Sequence, residues 1–414
     1  MNILDFRSLA ADGDWTNAFK KAAETCREQG GGHITVPVGV YPTHSIQLYD
    51  NTMLTLESGA KISFFMEPEG YPVIDLVFEG IAGKAAMPLI YAENAKNVTV
   101  TGGGTLDGQG NLWWKAHREN MLPCQRPYFV CFNNCEHVVL EGVTLLNSPS
   151  WTVHPLDSND VAIRHLTIHN PWDSPNTDGI NPDSCQNVRI SDCLIDVGDD
   201  CIAIKSGTED TVNPKPCENI IITNCLMLNG HGGVVIGSEM SGGVRNVLVT
   251  GCIFRGTDRG IRLKTRRHRG GMVSNITFSH ILMEDVKTPF VFNMFYFCGK
   301  GGKEASVKDK NKRPVDAKTP CISDVRIESV TAVNATACAG FVYGLPESPV
   351  TRLTLKDCTV TMKKGEKSHA AMMDDLPEWE AHGIFLRNAN DLTLENVKVV
   401  NQIGETCDTD ASVC

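Results

Sequence analysis

A short pattern, a polar residue followed by apolar residues at the next and third positions, recurs ten times along this 414-residue chain and restricts its fold more tightly than any other feature. The runs begin at Asn97 (NVTVTG), His137 (HVVLEG), Asp160, Asn187, Asn219, Asn246, Asn275, Asp324, Arg352 and Asp391 (DLTLEN). Alternation of this kind marks short strands. Most spacings between starts fall between 23 and 32 residues and three are longer. Turns rich in Gly, Asn, Asp and Ser divide each interval into two or three strands, with no long amphipathic helix between them. Units this small cannot bury their apolar face alone and must stack. The chain is also longer than a single compact core usually supports. Both considerations predict an all-β fold, a single parallel β-helix.

The expected organisation is one domain over residues 1–414, with a cap and first coil in 1–60, repeated coils over 97–400 and a polar tail at 401–414. Asp14 to Gln29 reads as an amphipathic helix, followed by a Gly-rich turn and the run His33-Ile34-Thr35-Val36-Pro37. Such a segment would close the open end, which a solenoid otherwise leaves exposed.

Six residues after each start from His137 onward stand Val143, Leu166, Cys193, Cys225, Cys252, Ile281, Val330, Cys358 and Val397. Cysteine replaces aliphatic residues here as a small hydrophobe. Four of the sixteen cysteines are therefore assigned to an internal stack rather than to disulfides, which suits a reducing compartment. The others, including Cys407 and Cys414, have no assignment. A net charge of -11 argues against nucleic acid as a general partner. No apolar run reaches the length of a membrane span. The stretch Met1–Arg7 contains an acidic residue and no apolar core, so no secretory leader is expected and a cytoplasmic location is.

Three successive segments carry the most unusual polar content: Asn176-Thr177-Asp178, Gly198-Asp199-Asp200 and Gly230-His231-Gly232. Counted from Asn187 and Asn219, Asp199 and His231 share the offset twelve, which makes them neighbours on adjacent coils about 4.8 Å apart. Aligning on Ile180, Ile202, Val234 and Ile261 puts Asp178, Asp200, Gly232 and Arg259 in one column, with Arg262 and Lys264 just beyond it. One patch should then collect three carboxylates, an imidazole and two cations. Carboxylates held close repel when ionised, so at least one should hold a proton near neutral pH while the others stay charged. An acid and a base so placed can break a glycosidic bond. The cations would select a sugar acid over a neutral hexose.

These segments, with Arg262-Leu263-Lys264, resemble the active-site motifs of glycoside hydrolase family 28, the polygalacturonases, and occur in the same order. The resemblance runs from the capping segment to about Val400 and includes Gly103–Gly110 with Trp113 and Trp114. It implies a right-handed parallel β-helix that hydrolyses galacturonosyl linkages by inversion. Asp199 would be the general acid, Asp178 and Asp200 would hold the attacking water, His231 would tune Asp199, and Arg262 with Lys264 would bind the galacturonate carboxylate. It requires no cofactor and no metal. The expected partner is a pectic oligosaccharide, and a cytoplasmic enzyme meeting imported oligosaccharides should release single units from the chain end.

Three regions stay open in the sequence. Trp113 and Trp114 suit sugar stacking and loop packing equally. Seven of the eleven residues from Arg259 to Arg269 are basic, counting His268. They read as an anion-binding edge, with Arg266, Arg267 and Arg269 as further candidates against a solvated loop. The Lys-rich stretch 299–319 is a long loop that either walls the groove or is a surface excursion. Among other functions, a calcium-dependent pectate lyase, a rhamnogalacturonan hydrolase and a non-catalytic β-helix share the scaffold.

Overall fold

The computed structural model describes residues 1–413. The chain is a parallel β-helix whose coils fall into two compact units, Met1–Asp199 and Asp200–Cys414. In the first unit, parallel strands stack Ile34 on Leu54, then Val100, Leu140, Ile163 and Ile190. All six side chains are buried. In the second, Ile222 stacks on Val249, then Phe278, Ile327, Leu355 and Leu394. The column is buried as far as Leu355, whereas Leu394 on the last coil is 42% exposed.

The repeat has a backbone cause. Every one of the ten starts, from Asn97 to Asp391, has φ between 53° and 59°. A second left-handed corner follows five residues further on, for example at Asp192, Asn224 and Asp357. Asn and Asp tolerate this conformation better than other non-Gly residues. Their amides also bond from coil to coil: Asn97 donates to Asn51, Asn246 to Asn219, and Asn275 to Asn246, at 2.7, 3.0 and 2.8 Å. His137 and Arg352 are the exceptions in chemistry: His137 Nδ1 lies 2.7 Å from Asp160 Oδ2, and Arg352 is held by two bonds to Asp324 of 2.6 and 2.7 Å.

The sixth-position stack is buried from Val143 to Cys358, including Cys193, Cys225 and Cys252. Val397 departs from the expectation: it is only partly buried, as befits the last coil of the repeat. The polar tail also departs from it, because Ile403–Asp408 forms a strand paired with His382–Arg387. Cys414 lies outside the described residues. At the other end the ladder begins earlier than residue 97, at Gly32–Val36. The helix Thr16–Glu28 buries Phe19, Ala22, Ala23 and Cys26 and packs on the first strands.

One element of the first unit breaks the parallel pattern. Strands Val73–Phe78 and Ile81–Ala86 form an antiparallel hairpin. Phe78 stacks on Tyr128 and Trp151, with ring centroids 5.4 and 5.6 Å away. The Tyr128 hydroxyl donates to Val77 O at 2.8 Å. Stacked aromatic rings and a part-buried hydrogen bond hold the hairpin against the coils.

Candidate active site

Asp178 ends a loop that its own hydroxyls and amides lock. Ser174 Oγ lies 2.5 Å from Thr177 Oγ1, Asn170 donates to Thr177 O, and Thr152 N bonds Asp178 O at 2.8 Å. Asp178 is buried and accepts a bond from Asn181 Nδ2 at 2.9 Å. The adjacent strand passes close beneath this loop. A Cβ on Gly198 would lie 2.6 Å from Pro171 O and 2.7 Å from Ser174 O, so only glycine fits there. Asp199 follows, partly exposed. One carboxylate oxygen of Asp178 and one of Asp199 lie within 4.8 Å of each other. Oxygens this close can share a proton or a water, and they are also the ligand type a hard cation takes. The 6.5–9.5 Å separation expected for an inverting pair is not met by these nearest oxygens.

Asp200 opens the second unit, and its surroundings differ. It accepts bonds from Arg262 Nη1 at 2.9 Å and Lys264 Nζ at 2.8 Å, and all three side chains are buried. Burial alone would raise its pKa, but Lys264 and Arg262 outweigh burial and hold the carboxyl well below the usual carboxylate range. Asp200 is therefore an anion at neutral pH and no proton donor. Gly232 pairs with Asp200 in register, and a Cβ there would press on Asp200 Oδ1 at 3.0 Å and Arg262 Cδ at 3.4 Å. The glycine of the third motif thus leaves room for the ion pair. His231, beside it, is partly exposed. Its charge helps to lower Asp258, whose carboxyl is pushed up by burial and brought down chiefly by Arg259 and Lys287.

Three residues of the second unit were not singled out by the sequence. Tyr296 is buried with its ring centroid 5.7 Å from the Arg262 guanidinium carbon and 5.1 Å from Lys264 Nζ. Met372 Sδ lies 2.9 Å from Arg262 Nη2. Glu239 pairs with Lys205 at 2.7 Å, both buried. Burial would raise Glu239, yet Lys205 and Arg269 outweigh it and keep the carboxyl ionised. Nothing local in the sequence marks Tyr296 or Met372, which arrive from other coils and loops.

The basic stretch divides. Arg262 and Lys264 meet Asp200, whereas Arg266, Arg267 and Arg269 are buried and paired with Glu209 and Glu347. These three hold the structure rather than offering an anion-binding edge, and none is a solvated loop residue. Arg267 also ties down the stretch 299–319 through Ser306 O and Asn311 O. That stretch contacts the loop 363–381 through Lys303 and Lys308, both paired with Asp374. Trp113 and Trp114 are buried: Trp114 Nε1 donates to Ser148 O at 2.9 Å and Trp113 meets Tyr71 edge-on. Packing accounts for the pair. The exposed tryptophan of the first unit is Trp172, 81% accessible, in the loop that leads to Asp178.

Comparison with known proteins agrees with the motifs. The sequence model of glycosyl hydrolases family 28 matches residues 26–375. A probable polygalacturonase of Vitis vinifera is 33% identical over 373 residues, covering 87% of this chain and 74% of that protein. The crystal structure of a hyperthermoactive exopolygalacturonase from Thermotoga maritima superposes with a TM-score of 0.79 at 31% identity, covering 97% of this chain and 92% of the other. A polygalacturonase from Erwinia carotovora, at 22% identity and a TM-score of 0.69 over 98% and 94% of the two chains, shares the fold. With motifs, strand register and the match over most of its length in agreement, this chain belongs to glycosyl hydrolase family 28 and is a glycoside hydrolase of the polygalacturonase family.

Proposed function

We propose that the enzyme hydrolyses α-1,4-galacturonosyl linkages in pectin-derived oligogalacturonides, exo-acting, with release of galacturonate and inversion. The observation that carries the reading is Asp200 held as a buried anion by Arg262 and Lys264, directly after the partly exposed Asp199 in the chain. In this reading Asp199 protonates the leaving oxygen. Asp178 and Asp200 hold the attacking water, with Asp178 taking its proton, because Asp200 has too low a proton affinity to act as a base. His231 tunes Asp199. Arg262 has five N–H donors and Lys264 three, so each cation can hold Asp200 and a sugar carboxylate together. Inversion follows the family resemblance and not the carboxylate spacing.

Exo action is supported by the hairpin 73–86, which walls a cavity of about 620 Å³ in the first unit. Glu79 at its tip and Asn176 of the first motif both line that cavity. A wall of this kind next to the Asp178 loop would admit a chain end and stop a continuing polymer. The similar enzyme from Thermotoga maritima is itself an exopolygalacturonase, which favours the same mode. A cytoplasmic location is part of the proposal and rests on the unbridged cysteines among the described residues, of which Cys131, Cys185, Cys252 and Cys338 are deeply buried.

Incubation with a defined galacturonate oligomer, with and without a chelator and beside the Asp199→Asn variant, tests the reading. Monomer released from the start, insensitive to chelator and lost in the variant, is expected. Mixed shorter oligomers would overturn exo action. An unsaturated, ultraviolet-absorbing product that needs calcium would replace hydrolysis with elimination.

A further inference from the structure

Arg126 is fully buried in the first unit, yet all of its hydrogen bonds go to neutral oxygens. Its Nη1 donates to Pro149 O at 2.9 Å and Pro175 O at 2.6 Å, and its Nη2 to Asn176 Oδ1 at 2.7 Å. The Nε–H is buried without a partner. Among the described residues no carboxylate forms an ion pair with it. A buried cation left in this state is costly and needs a reason. The nearby charges supply one: burial lowers its pKa to about 10, while Glu79, Asp178 and Asp199 are the anions that act on it at longer range.

We propose that Arg126 is a positioning residue for hydrolysis, fixing the Pro175–Asn176 loop that carries Asp178 and presenting a buried positive charge to the carboxylate that forms on Asp199. The inference rests on the assignment of Asp178 and Asp199 to the reaction. When the glycosidic bond breaks, its electron pair goes to the leaving oxygen, which takes the proton of Asp199. Asp199 is thereby left anionic. A fixed cation nearby stabilises that developing charge without reorganising at the moment of reaction. The hydrogen bonds to Pro175 and Asn176 keep the guanidinium from turning away. The Asn176 amide also lies 3.4 Å from Glu79 Oε1 on the hairpin tip, so the same contacts couple the hairpin to the first motif.

The test compares Arg126→Lys and Arg126→Met in the full-length enzyme, with thermal melts to confirm folding. On a defined galacturonate oligomer, Arg126→Met should lower kcat by about 100-fold, the scale of a lost preorganised donor, and leave KM within about twofold. Arg126→Lys keeps the charge and should recover at least tenfold of that loss. With 4-nitrophenyl α-galacturonide, whose leaving group needs no proton, the Met variant should lose less than tenfold. Equal losses in the Lys and Met variants, equal losses on both substrates, or a rise in KM with kcat retained would overturn the proposal. If Arg126→Met does not fold, the Lys variant alone decides it: a loss on the oligomer that shrinks on the aryl substrate supports the role, and an equal loss refutes it. Full activity of Asp199→Asn would instead refute the catalytic assignment on which the inference depends.

Discussion

Asp178 and Asp200 are the same residue type in equivalent motifs, yet their surroundings differ in kind. Asp178 receives a neutral amide bond from Asn181, while Asp200 receives a guanidinium and an ammonium. The contrast teaches that repetition fixes where a carboxylate stands, and the side chains contributed by neighbouring coils fix what it can do. A carboxylate gripped by two buried cations holds its charge and orients.

The largest effect should come from breaking the ionic side of this contrast. Asp200→Asn leaves Arg262 and Lys264 without their buried carboxylate and should cost roughly 3–5 kcal/mol of stability together with nearly all activity. Asp178→Asn should also abolish turnover, with a smaller stability loss, because it leaves the Asp200 ion pair with Arg262 and Lys264 intact. Equal destabilisation of the two variants in denaturant titrations would remove the distinction.

The pH dependence sharpens it. The folded pKa of Asp200 lies below its unfolded value of about 3.9. Its contribution to stability is therefore complete above the unfolded pKa and is lost as pH falls toward the folded one. Wild-type stability should fall more steeply than that of Asp200→Asn below about pH 4. Parallel curves would contradict the ion-pair reading. A separate effect, on stability alone, concerns the tryptophans. Trp113→Ala should destabilise by roughly 3–5 kcal/mol through lost packing, whereas Trp172→Ala should change stability by less than about 0.5 kcal/mol. Calorimetry on the two variants decides between them.

Much of this was legible in the residues. The Asn and Asp starts revealed the repeat because the coil corner needs a left-handed residue, and the Cys stack was readable because the interior accepts any small hydrophobe. Four motifs in order located Asp178, Asp200, Arg262 and Lys264. The antiparallel hairpin 73–86 escaped, since its strands lack the polar start that marks a coil. The fate of Arg266, Arg267 and Arg269 was hidden for another reason: their partners Glu209 and Glu347 lie some 60 to 80 positions away in sequence. Arg126 gave no signal either, because a lone arginine before a strand looks like any surface residue until its burial is known. The strand in the supposed tail was obscured by its polar composition, which the last coil tolerates because it is half exposed.

The most direct test is a carbon-13 titration of aspartate carboxyls, with Asp200 assigned by its disappearance in Asp200→Asn. The account predicts that the Asp200 resonance stays at its ionised position from pH 8 down to about pH 4, where an ordinary aspartate is half protonated. A resonance that titrates between about pH 4 and 6 would mean that Arg262 and Lys264 do not hold the carboxylate charged, and the division of labour among the aspartates would fall with it.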